Sequence, residues 1–330
     1  MNAQLLHRRI LRTRCRVIRT AALACVLALC ATVAGQSKGK GSELRSKGKG
    51  REFESKELES KVRALIAASG AETVAVAFRD LKNGRELLIN PGESFHAAST
   101  MKLPVMLEVY REARERLLNL DERLAVKNEF KSIADGSPFS VSSEDDSEHT
   151  LYTKVGGTET VRELVRLMIT ESSNLATNIL IDRVTPRRVM ELTRRMGARD
   201  MRVLRGVEDG KAFERGLNNT TTARDLLILL SAVAEGRAVS RAASDEVADI
   251  LAAQKFNSGI PAGLPVGVRV AHKTGSITKI EHDAGIVYPP GRKPYVLVLL
   301  VRGIADEARA HRLIADISRA VYSDITEVRR

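Results

Sequence analysis

The sequence predicts an α+β fold: an antiparallel five-stranded sheet flanked by helices, with strands from both ends of the chain and an all-helical lobe inserted between them. Three observations carry this. Two β runs joined by a turn follow a first amphipathic helix near residue 60. A block dominated by helical periodicity then occupies the middle of the chain, and three further strands and a closing helix end it. Strands split by a helical block imply one sheet assembled from distant segments, because each half alone has an unburied face.

Leu58, Val62, Leu65 and Ile66 repeat at helical spacing, so residues 57–69 form an amphipathic helix that Gly70 ends. Thr73–Asp80 and Arg85–Ile89 are β runs around the turn Lys82-Asn83-Gly84. Pro91-Gly92 leads into a helix that opens at Ser99 and reaches about Asn119. Its residues Met101, Leu103, Val105, Met106, Leu107 and Val109 are apolar almost all round, which marks a buried helix. Residues 121–160 lack regular periodicity, and Ser142–Ser147 reads as an exposed, solvated acidic loop. Helices follow at Val161–Thr170, Leu175–Val184, from Pro186 to Gly197, Thr222–Glu235 and Ser244–Gln254. Val268–His272, Ala284–Tyr288 and Tyr295–Arg302 are the last strands, and Asp306–Tyr322 is the closing helix.

The net charge of +12 is concentrated at one end. Residues 1–35 carry six arginines and no acid, and residues 36–56 carry seven basic and three acidic residues, which leaves +2 for residues 57–330. That near balance excludes a nucleic-acid footprint on the folded part. Residues 1–35 combine a basic start, a short apolar run Ala21–Ala34 and the small-residue exit Val33-Ala34-Gly35, the pattern of a cleaved signal peptide. The apolar run falls short of the roughly 20 residues a membrane span needs. The expected product is exported, periplasmic or secreted, with no membrane span after signal removal. All three cysteines, Cys15, Cys25 and Cys30, lie in this segment, so the mature chain carries no thiol chemistry. Residues 36–56 are a basic low-complexity linker that cannot bury enough apolar surface to fold. Residues 57–330 form the folded domain, expected to be a monomer.

Ser-x-x-Lys occurs four times, but only Ser99/Lys102 opens an apolar helix. An offset of three places both side chains on one face, and burial would lower the lysine pKa toward that of a base able to take a serine proton. Ser172-Ser173-Asn174 lies between two helices of the helical lobe, and Lys273-Thr274-Gly275 lies on a strand. These three segments, in this order, form the Ser-x-x-Lys, Ser-Asp-Asn, Lys-Thr-Gly set of penicilloyl serine transferases. From residue 57 onward the chain resembles class A β-lactamases and the related penicillin-binding DD-peptidases.

The resemblance implies an enzyme acylated at Ser99, with β-lactam amide hydrolysis as the leading activity. A penicillin-binding DD-peptidase or esterase-like acyl transferase with slow deacylation is the alternative, and a non-catalytic peptidoglycan-binding relative a further one. The expected partner is a β-lactam or a peptidoglycan-like peptide, with no metal or cofactor. Lys102 would take or relay the Ser99 proton, Ser172 would pass a proton to the leaving nitrogen, and Asn174 would bind the substrate amide. Lys273, helped by Thr274 and Ser276, would meet the substrate carboxylate. Gly275 would admit substrate close to the strand, and the backbone N–H groups of Ser99 and Ser276 would form the oxyanion hole.

Two departures stand out. Ser173 replaces the usual Asp of the second motif. The deacylation loop, normally Arg-x-Glu-x-x-Leu-Asn, is altered: Glu214 with Leu217-Asn218 keeps the Glu-x-x-Leu-Asn spacing, which makes Glu214 the leading deacylating base, with Glu208 and Asp209 as rivals. His272, His282 and Asp283 fit no standard zinc spacing and are read as structural.

Overall fold

The computed structural model describes residues 56–327; the proposed signal peptide and all but the last residue of the proposed linker lie outside them. Helix α1 (residues 56–69) precedes strands β1 (Thr73–Asp80) and β2 (Glu86–Ile89). A 3₁₀ turn at Ala98–Met101 runs directly into α2 (Lys102–Arg114). The helical lobe adds α3 (Val161–Thr170), α4 (Asn174–Val184), α5 (Pro186–Met196), the short α6 (Gly210–Glu214), α7 (Ala223–Ala234) and α8 (Arg241–Ala252). Strands β3 (Arg269–Ile277), β4 (Ile280–Tyr288) and β5 (Tyr295–Arg302) and helix α9 (Glu307–Thr326) complete the domain.

The five strands pair antiparallel in the order β2-β1-β5-β4-β3. The N-terminal hairpin docks on the C-terminal meander, with Val76 opposite Leu299, so the predicted sheet from both chain ends is present. Both faces are covered, which explains the unbroken apolar run Val296–Val301. Ala75, Ala77, Val296, Val298 and Leu300 face the helical lobe, while Val74, Val76, Phe78, Leu297, Leu299 and Val301 pack on Leu58, Val62, Leu313, Ile314 and Ile317 of α1 and α9.

Capping side chains set the helix starts, most of which fall where the sequence places them, while α8 begins at Arg241 and not at the expected Ser244. Thr160, Ser173, Thr222, Ser240 and Asp306 each accept the backbone N–H of the residue three positions on. The predicted helix from Ser99 to Asn119 is instead a 3₁₀ turn plus a helix that stops at Arg114. Arg116 takes φ +59°, and the chain doubles back to bury Leu118. The solvated-loop reading of Ser142–Ser147 is corrected at Asp146, which is buried. β3 extends through the whole of Lys273–Ile277, so the third motif lies on an edge strand, beside the turn that carries Ser99.

Candidate active site

Ser99 sits in the 3₁₀ turn, half-buried, directly after Ala98, whose φ of +43° is rare for a residue with a side chain. The strain is held by neighbours: the Ala98 N–H donates to Nδ1 of His96 (3.1 Å), and the Thr100 hydroxyl donates to the Ala97 carbonyl (2.6 Å). The serine is therefore presented on a locked corner, not at a helix cap. Lys102, one turn on, is fully enclosed. Its ammonium donates to the Ser172 carbonyl (2.5 Å), the Ser172 hydroxyl (3.2 Å) and Oδ1 of Asn174 (2.8 Å). Ser172 makes two of these contacts possible by adopting φ +60°. Lys273 reaches the same hydroxyl at 3.1 Å and anchors on the Thr274 carbonyl at 3.0 Å.

Two lysines thus converge on one serine oxygen. Burial lowers Lys102 to a pKa of about 7, against the opposing pull of Asp146 and Glu208. Burial, and then the Lys102 charge, hold Lys273 well below the ordinary lysine range, and Asp283 opposes them. The pair therefore disfavours a double positive charge. An anionic group arriving beside Lys273 would restore its proton, which suits a site that takes a carboxylate.

Asp283 lies opposite Thr274 on β4. Its carboxylate pairs with His272 Nδ1 (2.8 Å) and accepts the Ile260 N–H (2.8 Å), while His272 Nε2 faces Oδ1 of Asn257 (3.3 Å). His282 Nε2 faces the His96 carbonyl (2.9 Å), and burial lowers its pKa to about 4, so the ring is neutral at pH 7. The two histidines thus serve separate partners. Thr274 is half-buried, and Ser276 is exposed with its hydroxyl donated to Glu281 across the strands.

Gly275 is where the third motif meets the first. A Cβ there would lie 3.1 Å from the backbone nitrogens of both Ser99 and Thr100. Gly275→Ala is expected to push the strand off the serine turn, with an overpacking cost of about 1–3 kcal/mol. At about 1.4 kcal/mol per tenfold, a cost of that size borne by the acylation step lowers its rate roughly 5- to 150-fold. Labelling kinetics with a fluorescent penicillin check it.

The deacylation loop differs from the sequence expectation. Glu214 is exposed at the end of α6 and is not brought to the pocket. Glu208 is: Oε1 accepts from Nδ2 of Asn174 (2.7 Å) and Oε2 accepts from the Ser142 N–H (2.9 Å). Burial raises its pKa, and its φ is +61°. The loop around it is fixed from both sides. Asn178 of α4 exchanges two hydrogen bonds with the Val207 backbone (2.7 and 3.0 Å), and its side chain packs so closely on Gly206 that a Cβ there would overlap Oδ1 at 2.2 Å. Arg205 spans the loop to the Leu217 carbonyl (2.9 Å) and Oδ1 of Asn218 (3.1 Å). The Leu-Asn pair that singled out Glu214 therefore closes the neck of the loop, and Glu208 occupies the position at its inner wall. Asp209 faces away from the pocket, accepting from the Ser132 hydroxyl and the Ile133 N–H.

The composition reading missed Asp146. Its Oδ2 accepts the backbone N–H groups of Asn174 (2.8 Å) and Leu175 (3.0 Å) and the hydroxyl of Tyr152 (2.9 Å). No local pattern marks it, because its partners at the head of α4 lie 28 and 29 residues away.

A serine on a strained corner, a buried lysine of lowered pKa and a carboxylate at the inner wall are the kinds of group that a serine hydrolase working through an acyl-enzyme requires. A profile of the β-lactamase enzyme family matches residues 57–325, and the chain belongs to that family. It is 27% identical over 274 residues to a β-lactamase of Streptomyces albus G, covering 80% of this chain and 83% of that one. A crystal structure of a β-lactamase from Sphaerobacter thermophilus superposes with a TM-score of 0.70 at 28% identity, covering 80% of this chain and 96% of the other. The structure of PBP-A also superposes at 0.70 and 28% identity, over 82% and 96% of the chains, and a mutant of PBP-A has been solved as an acyl-enzyme complex with penicillin G.

Proposed function

We propose that this protein hydrolyses β-lactams through an ester on Ser99. Neutral Lys102 takes the Ser99 proton as Oγ attacks the lactam carbonyl carbon. The carbonyl electrons move onto oxygen, which the backbone N–H groups of Ser99 and Ser276 receive. When the C–N bond breaks, the proton travels from Lys102 to the Ser172 hydroxyl, 3.2 Å away, and from Ser172 to the lactam nitrogen. Asn174 holds the substrate amide, and Lys273 with Thr274 and Ser276 holds its carboxylate. Glu208 then takes a proton from water as its oxygen attacks the ester carbon; the C–O bond to Ser99 breaks, and the proton held by Glu208 is returned to the Ser99 oxygen, which restores both groups. Gly275 lets β3 approach the turn that carries Ser99, so the space expected for substrate beside this glycine is taken by the backbone of Ser99 and Thr100.

The observation that carries the hydrolytic half is Glu208, a carboxylate held on Asn174 beside Lys102 with its pKa raised by burial. The similarity to PBP-A favours a second reading, a penicillin-binding acyl transferase that deacylates slowly. A chromogenic cephalosporin separates them. Hydrolysis should give many turnovers per protein, whereas a burst of one equivalent that stalls would support the second reading.

Export rests on residues 1–35. Among the described residues no helix is long and apolar enough to cross a membrane.

A further inference from the structure

We propose that Asp146 is a positioning residue for this site: a carboxylate supplied by the loop ahead of α3 holds the Ser172–Asn174 turn and compensates the ammonium of Lys102 from one layer behind it. The inference rests on the acyl-enzyme reading given above.

The geometry shows why such a group is needed. Lys102 spends its donors on three neutral acceptors, two on Ser172 and one on Asn174, so no carboxylate bonds it directly. The turn that supplies these acceptors is strained at Ser172 and precedes α4, whose first N–H groups have no partners within the helix. Ser173 caps one of them, the Ala176 N–H at 3.2 Å. Asp146 takes two others, those of Asn174 and Leu175, through a single oxygen. The same oxygen lies 3.4 Å from the Ser173 hydroxyl and accepts the Tyr152 hydroxyl at 2.9 Å. Asp146 is itself 3% exposed, and a carboxylate buried to that degree is retained only with partners of this kind. A helix N-terminus, with its positive end, favours the anion further.

Asp146 therefore pins the backbone of Asn174, whose side chain bridges Lys102 and Glu208. The charged groups facing Lys102 are Asp146 from this loop, Glu208 from the loop ahead of α6, and Lys273 from β3. Removing the Asp146 charge leaves Glu208 and Lys273 facing the ammonium, which lowers the Lys102 pKa. Since the neutral lysine is the base, the acid limb of the acylation profile moves to lower pH.

The test compares the parent, Asp146→Asn, and Asp146→Asn combined with Ser173→Asp, which returns a carboxylate to a position within reach of the same oxygen site. Acylation by a fluorescent penicillin is followed from pH 5 to 9, and the side chain of Lys102 is titrated by NMR with isotope-labelled lysine and no substrate present. Asp146→Asn should lower the plateau rate about tenfold or more and shift both the acid limb and the Lys102 titration to lower pH. Ser173→Asp should restore both in that background. A lower melting temperature with an unmoved titration would reduce Asp146 to a structural cap and overturn the proposal, as would failure of the second substitution to restore the titration. If Asp146→Asn does not fold, Asp146→Glu replaces it; that variant keeps the charge and should lower the plateau while leaving the limb in place, and a displaced limb counts against the proposal. A parent that takes no label overturns the acyl-enzyme reading, while the substrate-free titration still decides the role of Asp146.

Discussion

Glu208→Gln is expected to turn a hydrolase into a trap. The variant should label with penicillin at a rate within about threefold of the parent, because the acylating groups, Ser99, Lys102, Ser172 and Lys273, are untouched. Deacylation should then fall by about 10²- to 10⁴-fold, the usual contribution of a positioned general base, and a persistent adduct should appear in the intact mass. The amide can still accept from the Ser142 N–H, but its hydrogens face the donor Nδ2 of Asn174 unless the ring of contacts rearranges. Any loss of acylation through Asn174 should stay within that threefold, and a larger loss would assign Glu208 a positioning role in place of base catalysis. Glu214→Gln, by contrast, should leave both steps unchanged, since Glu214 is exposed at the end of α6. If Glu214→Gln accumulates the adduct and Glu208→Gln does not, the assignment is reversed.

Lys102→Met is expected to remove acylation almost entirely, by about 10³-fold or more, while leaving the fold intact or more stable. The two effects have one origin. Lys102 is fully enclosed, and burial lowers its pKa to about 7. Half of the molecules near neutrality thus hold a free amine, which is what a base for Ser99 requires. The same burial costs stability, because a charge taken out of water is poorly compensated by three neutral acceptors. The sign of the pH effect follows from proton counts. Below about pH 7 both folded and unfolded chains carry the Lys102 proton, so Lys102 adds no slope. Between about 7 and roughly 10.4, the ordinary lysine value, the unfolded chain binds a proton that the folded chain lacks, so the Lys102 contribution to stability rises with pH. Lys102→Met should abolish that slope, and melting temperatures measured across the window check it. Acylation in the parent should rise through about pH 7; a flat profile would mean that Lys102 is not the base.

Much of the fold was legible because its signals are local. Capping residues at Thr160, Ser173, Thr222 and Asp306 mark helix starts, and the apolar run Val296–Val301 announces a strand buried on both faces. The three motif segments were legible for the same reason: each is a short pattern of residue types, and the three rarely fall in that order by chance. The remainder of the site depends on contacts between distant residues. Glu208 is chosen by Asn174, 34 positions earlier, and no spacing within residues 201–222 could express that. The preserved Leu217-Asn218 pair misled, because here it clasps Arg205 at the neck of the loop. Asp146 stands in an acidic stretch whose composition reads as solvated, yet three donors from Asn174, Leu175 and Tyr152 draw it inward. Residues three apart lie on one face of either a 3₁₀ or an α-helical turn, so the Ser99-x-x-Lys102 spacing does not separate the observed 3₁₀ corner from a helix opening.

The most direct measurement follows the intact mass of the parent protein during incubation with a penicillin at neutral pH, with rapid acid quenching and peptide mapping of any adduct. A transient gain equal to one intact penicillin, located on the peptide containing Ser99, should decay back to the free mass while hydrolysed penicillin accumulates well beyond one equivalent. Hydrolysis that continues in Ser99→Ala, or an adduct on any other residue, would contradict the account.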